Sequence, residues 1–265
     1  MNFDESLANA AANRALYDLV DRYGKAASLD LAAYDGESGV VEQTKRSLKS
    51  ISESRLGKTL SEAERNIKQQ SGFSAETIET TKINKQRIIE GKTPRSFRYD
   101  DLGKTNDQLV DVVDAEQMPD GTWKEITGSG FQMKFIGKNG GETFDKLCSS
   151  KHEKYFASGT PVKIPKDYYP DFIERADSRI NGLKQEIKTL NSQNANPSLI
   201  AAKKAQLKKY ETIRKNTYSS ETTSKEALLA RTNPKLYAAQ STLGTAHEAG
   251  LEGAKSGAVI GGGMA

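Results

Sequence analysis

Two short stretches of this chain place unusual residue types where chemistry could follow. The segment Gly130-Phe131-Gln132-Met133-Lys134-Phe135-Ile136 alternates with the period of a β-strand. Gln132 and Lys134 therefore share one face, while Phe131, Met133 and Phe135 fill the other. The run Leu109-Val110-Asp111-Val112-Val113 sets a carboxylate among apolar neighbours. Such a carboxylate costs free energy unless it meets a cation or a metal. Upstream, Glu76 falls just after Ser74, which reads as the N-cap of a helix. Each residue also has a plainer role open to it. Lys134 could guard an edge strand, Asp111 could pair with Lys134, and Glu76 could complement a helix dipole.

The elements that must position these residues are legible as a pattern. A helix from Ser74 to about Glu90 ends at Gly91 and Pro94, with Ser71-Gly72 as the stop before it. A short mixed stretch, Arg95–Asp101, precedes the β-branched run Leu109–Ala115 and a Gly-rich turn. Gly130–Ile136 follows, then a short helix at Glu142–Ser149 entered through Asn139-Gly140-Gly141. Pro161–Pro165 next encloses Val162 and Ile164. The order αβββαβ predicts an α+β fold with a small mixed β-sheet. Residues 1–70 read as an N-terminal helical region, with Leu7, Ala11, Leu16, Leu19, Val20, Leu56, Leu60 and Ile67 as its apolar positions. Residues 71–165 form the α/β core. Residues 166–218 carry two amphipathic stretches, Phe172–Leu190 and Ser198–Asn216, expected to fold back as an antiparallel helical hairpin. Residues 219–265 hold further helices and a Gly-rich tail.

An Asp in an apolar strand followed by Gln-x-Lys in the next resembles the PD-(D/E)xK, or restriction-endonuclease-like, nuclease superfamily. The closest likeness is to the Gln-x-Lys variants of Mrr-like restriction enzymes, whose core order is also αβββαβ. Glu/Gln-x-Lys occurs at Gln43, Glu90, Gln132, Glu186 and Gln206, but only Gln132 lies on an expected strand just after one bearing Asp. The resemblance covers the core and neither helical flank. It implies a metal-dependent endonuclease acting on nucleic acid, DNA in the first instance, in a setting of bacterial defence or conflict between genetic elements. Asp111, the Gln132 side chain and the Met133 carbonyl would hold Mg²⁺ or Mn²⁺. Lys134 would position the attacking water and stabilise charge on the phosphate, and Glu76 would act through water or a second metal. Gln132 in place of the commoner Glu removes one negative charge from the metal site. Asp100, Asp101, Asp107 and Asp114 are rival carboxylates. A regular strand turns Asp114 away from Asp111, whereas a bulge would favour Asp114.

Composition narrows the remaining classes. The 265 residues are 35% hydrophobic and 28% charged, so much of the chain should be solvated helix rather than thick core. A single cysteine, Cys148, excludes an intrachain disulfide and suits a reducing, cytoplasmic setting. Two histidines, His152 and His247, exclude zinc sites built on several His. His152-Glu153-Lys154 lacks the Asp that a phospholipase-D-type nuclease needs, and His152 reads as an exposed helical residue. No Gly-x4-Gly-Lys-Ser/Thr motif is present, which excludes phosphate-loop NTPases. Between Arg179 and Lys215 nine Lys/Arg face two Glu. Lys203, Lys204, Lys208 and Lys209 would form a patch on one side of a helix, open to a nucleic-acid backbone or simply to water. Gly253, Gly257 and Gly261 recur at four-residue spacing, which suits either close helix packing in a chain that continues past Ala265 or simply a flexible tail. Two other readings stay open. One is a non-catalytic assembly module on a degenerate nuclease core, self-associating through its helices. The other is the head of a membrane-active glycine-zipper effector.

Overall fold

The computed structural model describes residues 3–36, 47–105 and 107–262. In chain order the described residues form α1 (Phe3–Asp35), α2 (Leu48–Ser52), α3 (Leu60–Ile89), β1 (Arg95–Arg98), β2 (Val112–Gln117), β3 (Trp123–Glu125) and β4 (Gln132–Met133). There follow α4 (Gly140–Leu147), α5 (Glu153–Ala157), β5 (Val162–Ile164), α6 (Tyr169–Ser192), α7 (Pro197–Lys215), β6 (Thr217–Ser219), α8 (Ser224–Thr232) and α9 (Pro234–Gly262). The fold is α+β with two small sheets of three strands, one ordered β1-β2-β3 and the other β4-β5-β6. No helix among the described residues is long and apolar enough to cross a membrane.

Contacts divide the chain into two compact units. The first takes in the described chain up to Phe97, Asp114–Ile126, and the chain from Leu228 onward. The second comprises Arg98–Val113 and Thr127–Ala227.

In the first unit, α1 packs along α3 and α9. Its apolar centre is small: Ala33, Leu48, Ile78, Ala230 and Tyr237. Much of the interior is polar, and α3 alone buries Ser71, Ser74, Thr77, Glu79, Thr80, Thr81 and Asn84. Lys85 Nζ meets the buried Asp30 carboxylate at 2.6 Å and Ser241 Oγ at 3.1 Å. α3 overturns the expected helix break at Ser71-Gly72. A mid-helix Gly costs only about 1 kcal/mol against Ala, and Ser71 returns its hydroxyl to the Ile67 carbonyl within the helix. The true start is a capping box: Thr59 Oγ1 accepts from Glu62 N–H at 3.2 Å, and Glu62 Oε2 accepts from Thr59 N–H at 3.0 Å. Glu76 consequently lies in the interior of α3 rather than in a first turn. On α1 the expected stripe is displaced: Tyr23, Ala26, Leu29 and Ala33 are buried, whereas Val20 is exposed, as is Leu60 on α3. The side chains of Leu7 and Ala11 lie outside the described residues.

The second unit has the conventional apolar core, with Phe144, Leu147, Tyr155, Val162, Ile164, Phe172, Ala176 and Ile213 in one cluster. Phe144 packs edge-on against Phe172 and Tyr210, with centroids 5.6 and 5.3 Å away. α6 and α7 form the expected antiparallel hairpin, and α6 buries Phe172, Ala176, Ile180, Leu183 and Ile187 along one stripe. The Gln132 segment pairs with β5 in a parallel ladder, Gln132 opposite Val162 and Met133 opposite Lys163. α4 makes the crossover. Toward the Leu109–Ala115 run, its expected neighbour in one sheet, the segment makes an isolated antiparallel bridge, Val112 to Phe131, and the two belong to different sheets. Gly140 lets α4 reach α6, because a Cβ there would stand 2.0 Å from the Tyr168 carbonyl oxygen and 2.3 Å from the Phe172 nitrogen.

Four differences from the sequence reading concern strands. The Gly130–Ile136 segment is regular only over Gln132–Met133, and β2 begins at Val112 rather than Leu109. A hairpin strand, β3, pairs with β2, and β6 adds to the far side of β5 in parallel. Both are three-residue strands, too short for a period to register.

Candidate functional site

Asp111, Gln132, Met133 and Lys134 all belong to the second unit, and the backbone brings them together through an irregularity. The N–H groups of Asp111 and Val112 both donate to the Phe131 carbonyl, at 2.9 and 3.1 Å, while Phe131 N–H donates to Val112 O at 2.9 Å. Two residues opposite one is the pattern of a β-bulge, a device that re-aims side chains next to functional sites. On the other flank Tyr99 N–H donates to Asp111 O at 2.8 Å, so the strand end is held from both sides.

The bulge aims the Asp111 carboxylate at the Gln-x-Lys segment. Its Oδ2 accepts from the Gln132 side-chain amide and from Met133 N–H, the latter at 2.8 Å. Burial raises the Asp111 pKa. The charge of Lys134, the Met133 and Gln132 donors and the charge of Arg98 oppose that rise without cancelling it. Gln132 is itself buried. The bulge does not favour Asp114. That carboxylate accepts from Arg87 at 3.0 and 2.6 Å and from the Ser96 hydroxyl, all within the first unit. Asp107 caps the backbone N–H groups of Leu109 and Val110, each at 2.8 Å.

Several neighbours were not assigned a role from sequence. Arg98 is 1% exposed, with Nη2 3.4 Å from Asp100 and Nη1 3.9 Å from Asp101. A strand-end arginine followed by two aspartates was the available signal. Tyr155, buried on α5, lies under the Lys134 ammonium, whose Nζ is 4.9 Å from the ring centroid. The Asp111 charge adds to burial in raising the phenol's pKa. His152 is buried rather than exposed, in a turn of 3-10 helix (Ser150–His152) ahead of α5, and it stacks on Tyr155. The stretch Lys151-His152-Glu153-Lys154 looks solvated in sequence, and only the tight turn rotates His152 inward.

Glu76 belongs to the first unit, whereas Asp111, Gln132, Met133 and Lys134 belong to the second. The basic patch on α7 is partly discharged: Lys203 meets Glu186 at 2.8 Å, and Arg214 meets Asp177 at 3.0 Å. Lys204 is exposed, and Lys208 and Lys209 line a groove of about 610 Å³ together with Phe156, Tyr210 and Ile213. Cys148 lines the same groove, and burial pushes its thiol up to about 11, which leaves it unreactive at neutral pH.

Among the described residues no group of three or more His, Cys, Asp or Glu side chains is placed to hold a metal ion. The donors at Asp111 are one carboxylate, one side-chain amide and the backbone of Met133. Gln132 and Met133 face Asp111 with N–H groups, and it is their oxygens, with the carboxylate, that would suit a Mg²⁺ or Mn²⁺ ion that keeps several waters. Gln132 donates its Nε2 to Asp111, so ligation through Oε1 would require the amide to turn. Comparisons with known protein families, curated proteins and solved structures found no match.

Proposed function

We propose that this chain is a metal-dependent nuclease acting on DNA, with its centre at Asp111, Gln132, Met133 and Lys134. One observation carries the reading: the three positions of the Gln-x-Lys motif converge on the buried carboxylate of the strand aspartate, Asp111. The order from α3 through β1, β2 and β4 to α4 and a parallel β5 supports a restriction-endonuclease-like core. It departs from that pattern in the added β3 and in the division of the strands between two sheets.

The donor set suits a divalent cation because Asp111, the Gln132 amide and the Met133 carbonyl carry hard oxygen atoms, and Asp111 is desolvated. Its pKa remains raised although Lys134, Arg98 and two N–H donors all favour the ionised form. Further positive charge at Oδ1 or Oδ2 would stabilise it. When bound, the ion would neutralise charge on the scissile phosphate. Asp111 and the Met133 carbonyl would orient it, with Gln132 turned to present Oε1. Lys134, held over the Tyr155 ring, would position the attacking water and stabilise the phosphate as negative charge develops.

The test is cleavage of plasmid DNA with Mg²⁺, with Mn²⁺ and with chelator, by wild type, Asp111→Asn and Lys134→Ala. Cleavage should need metal, vanish in Asp111→Asn, and fall by about 10²–10³-fold in Lys134→Ala while Mn²⁺ still binds. Absence of metal-dependent cleavage by folded wild type would reject the reading and leave an assembly role.

A further inference from the structure

The ring of Tyr155, beside the candidate centre, carries two ammonium groups. Lys134 Nζ stands 4.9 Å from its centroid and Lys154 Nζ 5.3 Å. His152 stacks on the same ring at 6.0 Å. It is 8% exposed, and its buried Nδ1 has no hydrogen-bond partner among the described residues. After burial, the charges of Lys134, Lys151 and Lys154 are what hold this imidazole below its ordinary range. Lys134 and Lys154 thus stand over the ring on which His152 stacks, and Lys151 adjoins His152 in the same 3-10 turn. Lys154 Nζ also donates to Gln108 Oε1 at 3.1 Å, a neutral acceptor that leaves its charge uncompensated. Lys134 already faces the Asp111 carboxylate, and an anion beside Lys151 and Lys154 would supply the counter-charge on their side of the ring. Aromatic rings backing a lysine cluster are a recurrent means of holding a nucleic-acid strand. The hairpin offers less, since Lys184, Lys203 and Arg214 are engaged by Glu211, Glu186 and Asp177.

We infer that Lys134, Lys151 and Lys154, arranged around Tyr155 and His152, form a phosphate subsite that seats the DNA backbone beside Asp111. The identity of the ligand rests on the nuclease reading above. The principal backbone contact then lies on the turn and helix carrying Lys151 and Lys154 rather than on the lysines of α7.

Binding can be measured apart from cleavage, by anisotropy of a labelled DNA duplex in chelator over a range of salt. Lys151 and Lys154 are both exposed, so Lys151→Ala/Lys154→Ala should fold normally, with melting temperature as the check. The slope of log affinity against log salt should shrink by about 0.9 for each lysine lost. Lys204→Ala/Lys208→Ala should change it little, and Tyr155→Phe should keep it. An unchanged slope in the Lys151/Lys154 pair, or an equal loss in the α7 pair, would overturn the subsite. If wild type cleaves with Mg²⁺ while the Lys151/Lys154 pair keeps its slope, the subsite fails and the nuclease reading stands. If that pair loses slope while wild type never cleaves, the subsite stands and the nuclease reading fails.

Discussion

Asp111 sits where stability and chemistry pull in opposite directions. Its carboxylate is desolvated, and the folded protein raises its pKa above the ordinary 3.8. A group whose folded pKa is raised contributes stability below its unfolded pKa and loses it as pH rises through the folded value. Once ionised, Asp111 is thus a cost to the fold. Asp111→Asn keeps an oxygen to accept from Gln132 and Met133 and removes the buried charge, so its melting temperature should match or exceed that of wild type at pH 7 while any cleavage disappears. A fall of several degrees, equal to about 1 kcal/mol or more, would show instead that Asp111 serves chiefly as the ion partner of Lys134. This residue was legible because an acid amid Leu109, Val110, Val112 and Val113 has no ordinary structural reason to be there. Arg98 and His152 were not, because their inward aim comes from a strand end and a 3-10 turn, which leave no periodic trace in sequence.

At the scale of elements, the long helices and the Asn139-Gly140-Gly141 entry to α4 were readable, since each carries several concordant signals. α3 was not, because Ser71-Gly72 imitates a stop that the flanking helix overrides. The two boundaries differ in how much rests on them. Thr59 caps an exposed helix start, so Thr59→Ala should cost about 1 kcal/mol. Gly140 faces immovable backbone, the Tyr168 carbonyl and the Phe172 nitrogen, with no side chain to yield. Gly140→Ala must push α4 off α6, and a loss of about 1–3 kcal/mol or more is expected. Chemical denaturation of both variants measures the difference. Equal, small losses would show that α4 is free to shift.

Across the whole molecule the two units are stabilised differently, and protons should read that difference. The first relies on buried polar contacts such as Lys85 with Asp30, the second on apolar packing around Phe144 and Phe172. Within the second, His152 is the group whose folded pKa is lowered from 6.5, chiefly by burial and then by Lys134, Lys151 and Lys154. Its sign is opposite to that of Asp111. Between 6.5 and its lower folded value the unfolded chain binds a proton that the folded chain refuses, so stability falls as pH drops through this window. Above 6.5 the imidazole is neutral in both states and contributes no slope. His152→Gln removes the titration while keeping a polar side chain of similar reach. Denaturant melts from pH 7.5 downward should therefore show wild type losing stability relative to His152→Gln once pH passes below about 6.5, then running parallel once the folded His152 is itself protonated. Parallel curves across the whole range would mean that the imidazole reaches water and takes its proton without cost. In that case burial and the lysine charges would not be holding its pKa down.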